Sequence, residues 1–281
     1  MTDKIFKRLL FMLSLIVLFI TAGMIYSLVS GALPAFRKFG IFNFIYSSEW
    51  NPRTETYGAL PFIVGTILTS FLALIISLPF SLSIALFSGE YYKNSKFSKI
   101  ISSFVSLLSG VPSIVYGLWG FYSIRPIIIS LGISTNGLGI LTSSIVLAIM
   151  IIPYASSLSS EFLEMVPANL KEASYSLGST RLEMITNVMI PYASSGIFAS
   201  YILALGRALG ETMAVTMLIG NTNNIPSSLI DTSNSMASVI ANQFGEADGL
   251  KLSSLIAIAL LLMLITALIN FIGKLIIKRF Q

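Results

Sequence analysis

Arg207 and Glu211 stand four residues apart in Gly206-Arg207-Ala208-Leu209-Gly210-Glu211-Thr212, and they are the only charges in the stretch 184–230. An ionisable side chain in hydrocarbon is costly unless paired or wetted, so by default it marks a solute pathway. If the stretch is helical, this spacing puts both groups on one face, where each lowers the cost of burying the other. A purely structural ion pair tying this helix to a neighbour explains the same spacing, and both readings stand. The planar fork of an arginine grips carboxylate, sulfate or phosphate oxygens in bidentate fashion. The pathway reading therefore implies an anionic solute, and the glutamate next to it keeps the site nearly neutral, so that it holds the anion only briefly. Thr212, Thr216 and Ser113 add hydroxyl donors, although Ser and Thr in helices also bond back to their own backbone. Covalent chemistry has little to work with. The absence of cysteine and histidine removes disulfides, thiol nucleophiles, imidazole acid/base catalysis and His/Cys metal sites. No G-x-x-x-x-G-K-[ST] phosphate loop occurs either. The expectation is a chain that is not an enzyme, with no catalytic residue, no metal and no cofactor.

The elements that must position these residues are apolar. Of 281 residues, 55% are hydrophobic and 10% are charged, which excludes the soluble globular class. Charge-free stretches run over 9–36, 56–89, 100–124, 126–160 and 252–273. About 20 apolar residues cross the hydrocarbon core, so the chain reads as an all-α integral membrane protein with six transmembrane helices near 9–31, 60–88, 100–122, 138–160, 193–219 and 252–277. The first apolar run exceeds the h-region of a signal peptide and no small-x-small cleavage site follows it, so it reads as a retained helix. In this scheme eleven cations (Lys4, Lys7, Arg8, Lys93, Lys96, Lys99, Lys171, Arg181, Lys274, Lys278, Arg279) fall on one side. Five (Arg37, Lys38, Arg53, Arg125, Lys251) fall on the other, which puts both termini in the cytoplasm. The net charge of +5 is thus a matter of topology, and nucleic acid is excluded as a partner.

Between the fourth and fifth spans lies a loop of about thirty residues, 161–191, carrying EAS-x3-G-x9-V-x-I-P. Pro167 sits where a first helical residue belongs, Leu170, Ala173 and Leu177 recur at helical spacing, and Gly178 follows as the stop. Thr180 and Glu183 form a capping box that opens a second helix through Leu182 and Ile185, expected to end at Pro191. An ordered helical projection between two spans suits a docking surface for a soluble partner. A loop packed idly on the membrane surface fits the same spacing. Outside, the 32–59 loop is rich in aromatics (Phe36, Phe39, Phe42, Phe44, Tyr46, Trp50, Tyr57), which suits an interfacial belt or a partner contact. The polar segment after Asn221 reads as an outer loop with one short helix. No internal repeat is visible.

Glu172-Ala173-Ser174, Gly178 and Val188-Met189-Ile190-Pro191 resemble the EAA signature of permeases of binding-protein-dependent type I ABC importers, with serine as the third residue and valine before x-L-P. Trp50 to Pro52, the YGALPFIVGT run from Tyr57, GVPSIVYGL from Gly110 and GRALGETMAVTMLIGN from Gly206 are similar to PstC-type permeases of phosphate importers. PstA-type sister permeases lack the YGALPF and ETMAVT runs. The resemblance implies the MetI-like permease fold, with an N-terminal helix and periplasmic loop over 1–59 and a permease core over 60–281. It also implies a bacterial inner-membrane location and partnership with a PstA-type permease, two copies of an ATPase subunit and a periplasmic phosphate-binding protein. Arg207 and Glu211 match the family's charged pair, with Thr212 and Ser113 beside the path. Glu172, Ala173, Gly178 and Pro191 match the loop that seats on the ATPase. The rival readings are the same plan serving sulfate or molybdate, a gradient-driven secondary transporter, and a membrane sensor that moves nothing.

Overall fold

In lipid every backbone amide must be satisfied within the protein, which favours helices, and the computed structural model is built almost wholly of them. It describes residues 2–93 and 95–278. Arg279 and the side chain of Lys4, both assigned above to one side, lie outside the described residues. In chain order the elements are α1 (Thr2–Phe39), α2 (Ile41–Tyr46), a hairpin of β1 (Trp50–Asn51) and β2 (Thr56–Tyr57), α3 (Leu60–Leu86), α4 (Lys96–Gly110), α5 (Ser113–Trp119), α6 (Arg125–Ser130) and α7 (Ile140–Glu164). They continue with α8 (Ala168–Ser176), α9 (Arg181–Met184), α10 (Ile190–Leu209), α11 (Met213–Leu218), α12 (Met236–Gln243) and α13 (Gly249–Ile277). Among the described residues five helices are long and apolar enough to cross a membrane, or six if one bent pair counts as a span.

That bent pair corrects the expected straight helix over 100–122. α4 and the helical run from Ser113 to Ser130 meet at 99°. Pro112 supplies no amide and pushes Val111 out of the helical region, where it takes φ −71° and ψ 129°. The expected helix over 193–219 is corrected at both ends. It starts at Arg181, passes through a π-helical turn at Ile185–Met189 and breaks between Leu209 and Met213. Pro191 does not end it: the proline falls in the first turn of α10, where a missing amide is tolerated after the wide turn.

α3, α7 and α10 form the central core. Small residues let them approach: Ser200, Ala204 and Ala208 are buried on α10, and Gly196 lies so close to Phe162 of α7 that a Cβ would fall 2.1 Å from its ring. The Gly206/Gly210 pair is not a close-approach site. A Cβ at Gly206 would stand 3.5 Å from Asn270, and one at Gly210 would meet only backbone of its own chain at 3.9 Å. Polar cross-links sit where the helices touch, with the Ser81 and Tyr201 hydroxyls 2.9 Å apart and the Ser144 hydroxyl donating to the Thr69 carbonyl at 3.1 Å.

A second core joins α1, α2, the hairpin, α12 and α13. The Ser253 hydroxyl bridges α13 to α1, accepting from the Ala35 amide at 3.0 Å and donating to the Gly31 carbonyl at 2.7 Å. Most of the outer-loop aromatics are neither belt nor free contact surface. Phe44, Trp50 and Tyr57 are buried, with Trp50 edge-on to Tyr57 at 4.9 Å and to Phe62 at 5.0 Å. Only Phe42 and Tyr46 of the seven stay exposed. Each large ring buried this way contributes about 1.5–3 kcal/mol, so the loop is a small folded cap.

Candidate functional site

Arg207 lies in the last turn of α10, and its guanidinium stands over the ring of Tyr154 on α7, 4.2 Å from the centroid. Among the described residues none of its N–H groups finds a carboxylate or carbonyl. The Tyr154 hydroxyl donates to the Ser109 carbonyl at 3.3 Å, and the Tyr116 hydroxyl donates to the Leu108 carbonyl at 2.9 Å. These carbonyls belong to the last turn of α4, where the chain bends at Val111 and Pro112 and Leu108 keeps only a long bond from the Val111 amide at 3.3 Å. Two tyrosines therefore brace the bend, and one of them carries the arginine.

Glu211 is not on the helix with Arg207. The chain leaves α10 at Leu209, and Glu211 sits in the break. Its carboxylate accepts from the Ala214 amide at 3.4 Å, and no ion pair joins it to Arg207. Expecting both groups on one helical face assumed a continuous helix, and the turn at Gly210 voids that assumption. Thr212 is half-buried in the same break, its hydroxyl directed to the Gly210 carbonyl at 3.3 Å, and the Thr216 hydroxyl bonds back to Thr212 at 2.7 Å. Ser113 opens α5, one turn before Tyr116 and at the same bend. The structure brings Arg207, Tyr154 and Tyr116 together. Glu211 and Thr212 follow the arginine in the break after α10 and Ser113 lies at the bend, none of them bonded to it.

The 161–191 loop forms the second candidate surface. α8 starts after Pro167 and buries none of its residues, so Glu172 and Ala173 face outward. Gly178 takes φ +84°, the left-handed stop that glycine adopts without strain, and the Ser179 amide returns to the Ser174 carbonyl at 3.3 Å. Next to it the apolar side chain of Leu177 is 90% exposed. The capping box forms as read, with the Thr180 amide donating to Glu183 at 2.7 Å and the Glu183 amide to the Thr180 hydroxyl at 3.3 Å. The loop is also anchored on its inner side. Lys171 pairs with Glu90 just past α3, both side chains being mostly buried. Arg181 donates to the Glu90 and Tyr91 carbonyls at 2.8 and 3.0 Å and covers the Tyr91 ring at 4.5 Å.

Residues 80–281 match the family of binding-protein-dependent transport system inner membrane components. The chain belongs to that family. The permease is 40% identical to the phosphate transport system permease protein PstC of Pasteurella multocida, across 99% of this chain and 92% of that one. It is 41% identical to PstC of Mesorhizobium japonicum, across 99% and 91%. Two solved structures share its fold. A chain of the bacterial alginate ABC transporter matches with TM-score 0.67 and 16% identity, covering 96% of the permease and 94% of that chain. A chain of the inward-facing MetNI methionine ABC transporter matches with TM-score 0.61 and 19% identity, covering 80% and 94%. The permease is therefore a multi-pass inner-membrane transport component of an ABC importer, and not an enzyme.

Sequence reasoning missed Tyr154 and Glu90. Tyr154 was visible as an aromatic hydroxyl inside an apolar span, directly after Pro153. Glu90 was visible only as the charge that closes the second apolar stretch, and nothing in the spacing linked it to Lys171, eighty-one positions away. Geometrically, the permease presents an arginine with unused donors at a bent helix and, separately, an apolar tip on a clamped loop.

Proposed function

We propose that this permease is the PstC-type subunit of an ATP-driven importer of inorganic phosphate, and that it forms the path together with a PstA-type permease. The observation that carries the reading is Arg207: an arginine in a spanning helix whose donors meet no protein acceptor is available to a tetrahedral oxyanion. The near-full-length likeness to PstC of Pasteurella multocida supports phosphate as the cargo. Glu211 and the hydroxyls of Thr212 and Ser113 flank the arginine, the carboxylate keeping the hold brief.

In the mechanism, Glu172, Ala173, Gly178 and the exposed Leu177 seat on an ATPase dimer, which supplies the hydrolysis that this chain does not perform. Pro191 begins the rigid part of α10. When the ATPase closes, α8 moves, and Lys171 and Arg181 transmit the motion to the end of α3 while the continuous run from Arg181 transmits it to α10. The Arg207 region then opens to one side or the other. A periplasmic phosphate-binding protein delivers the anion. Both termini and the 161–191 loop lie in the cytoplasm, following the distribution of cations, and residues 1–59 form an N-terminal helix and outer cap added to the core at 60–281.

The test is accumulation of labelled phosphate in proteoliposomes holding the complete complex and the binding protein. Uptake should need ATP and compete weakly with sulfate and molybdate. Stronger competition by either would reassign the cargo, and uptake that survives ATP depletion but collapses with an uncoupler would overturn the ATP-driven scheme.

A further inference from the structure

α4 faces α7 and the end of α3 across a cavity of about 450 Å3, which shares Ser88, Ser102 and Ser160 with a smaller space of about 170 Å3. The smaller space reaches Ser157 on α7, one turn from Tyr154. One continuous groove thus leads from the loop side toward the arginine. A row of serines on a helix is ordinary, because each hydroxyl can bond back to its own backbone. Ser103 and Ser106 do so, to the Lys99 and Ser102 carbonyls at 2.8 and 2.9 Å.

Five of the groove's serines, Ser88, Ser98, Ser102, Ser157 and Ser160, do not. Ser98 is only 6% exposed, yet its hydroxyl has no partner, and the Ser88 hydroxyl oxygen is fully enclosed and unpartnered. Ser160, half-buried, and Ser102, exposed, lie at the junction of the two spaces and make no hydroxyl bond among the described residues. An enclosed hydroxyl such as that of Ser88 is costly without an acceptor, and an acyl chain cannot supply one. Lys99 lines the mouth without a carboxylate partner, whereas Lys93 beside it is paired with Glu164 at 3.6 Å.

We propose that this groove is a second oxyanion station, on the inner half of the path, where Lys99 and the free hydroxyls of Ser98, Ser102, Ser88 and Ser160 hold phosphate that has left Arg207. The inference rests on the phosphate-import reading above. Ammonium and hydroxyl donors match the acceptor-only oxygens of the anion. Glu161, unpaired on the smaller space, repels the anion and keeps its stay short. A station of this kind opens to the cytoplasm, so internal phosphate refills it and slows further uptake.

The experiment loads proteoliposomes containing the complete complex with increasing inorganic phosphate, with chloride at equal ionic strength as control, and measures uptake relative to each variant's own rate at zero internal phosphate. In wild type, internal phosphate slows uptake and chloride does not. In Lys99→Gln and in the Ser98→Ala/Ser102→Ala pair, the half-inhibiting phosphate concentration rises roughly tenfold, as expected for lost charged and hydroxyl donors. In Glu161→Gln it falls, a sign that no folding defect produces. Assembly is checked by co-purification of the ATPase. Unchanged half-inhibition in all variants, equal inhibition by chloride, or no inhibition of an active wild type overturns the station and leaves phosphate import standing. Loss of the second permease from the variants with inhibition unchanged would assign the groove to subunit packing and overturn it equally. A wild-type complex that takes up no phosphate overturns the import reading, and the station with it.

Discussion

Arg207 and Lys171 are both cations on helices, but Arg207 is exposed and Lys171 largely buried, and their partners differ. Lys171 meets Glu90, and Arg181 adds two bonds to the carbonyls beside it, so charge and geometry are saturated. Arg207 meets the face of Tyr154 and nothing acidic. A saturated pair can only be broken, which makes it a fastening, because leaving one buried partner unpaired is strongly destabilising. A cation resting on a ring keeps its in-plane donors unused, which leaves them open to the anion proposed above. A cation with a carboxylate within reach is thus a strut, and one without it keeps the donors that the proposed function assigns to the anion.

The contrast fails first at Arg207. Replacement by alanine should reduce phosphate uptake roughly a hundredfold, the loss expected for two charged hydrogen bonds, while the ATPase subunit still co-purifies. Residual uptake near wild type would remove Arg207 from the path. Next is Glu90→Gln. Breaking such a pair costs about 3–5 kcal/mol when fully buried, and the side chains here are 17% and 12% exposed, so a value toward the lower end is expected. The complex should still hydrolyse ATP but move less phosphate per ATP, and Glu90→Gln combined with Lys171→Met should recover part of the loss. If the single substitution leaves that ratio intact, the loop pulls on α10 alone.

A smaller effect separates the ring from its hydroxyl at Tyr154. Tyr154→Leu removes a cation–π contact of about 1 kcal/mol, or roughly fivefold in apparent KM. Tyr154→Phe keeps the ring and should shift KM by less than about twofold. Equal effects from both would mean that the hydroxyl brace on α4 matters and the ring does not. The smallest effect lies in the outer cap, which has no part in the contrast and serves as its control. Burial raises the Tyr57 hydroxyl above its usual value, helped by Glu55 and Asp248. The cap therefore has the full contribution below the free-tyrosine value of about 10 and loses it as pH rises from there through the higher folded value. Trp50 emission in a Trp119→Phe background should change only in that alkaline range, and a change near neutrality would refute the raised value.

The sequence by itself determined the membrane class, the approximate position of the spans, the α8 helix with its glycine stop and the Thr180/Glu183 capping box. Each of these depends on residues within a few positions of one another: apolar run length, Pro167 and Gly178 at the helix ends, and the i,i+3 reach of a side chain. Arg207 was legible as well, because a charge in an apolar run is visible without a fold. Tertiary structure decided what those residues meet. Pro112 bent one expected span, and Gly210 ended α10 before Glu211 could join Arg207 on a face. Pro191, expected to stop a helix, became the first turn of one once a wide turn preceded it. Tyr154 under Arg207, Glu90 under Lys171 and the unspent hydroxyls between α4 and α7 all join segments far apart in the chain. Such pairings follow from how the helices pack, which local spacing does not specify.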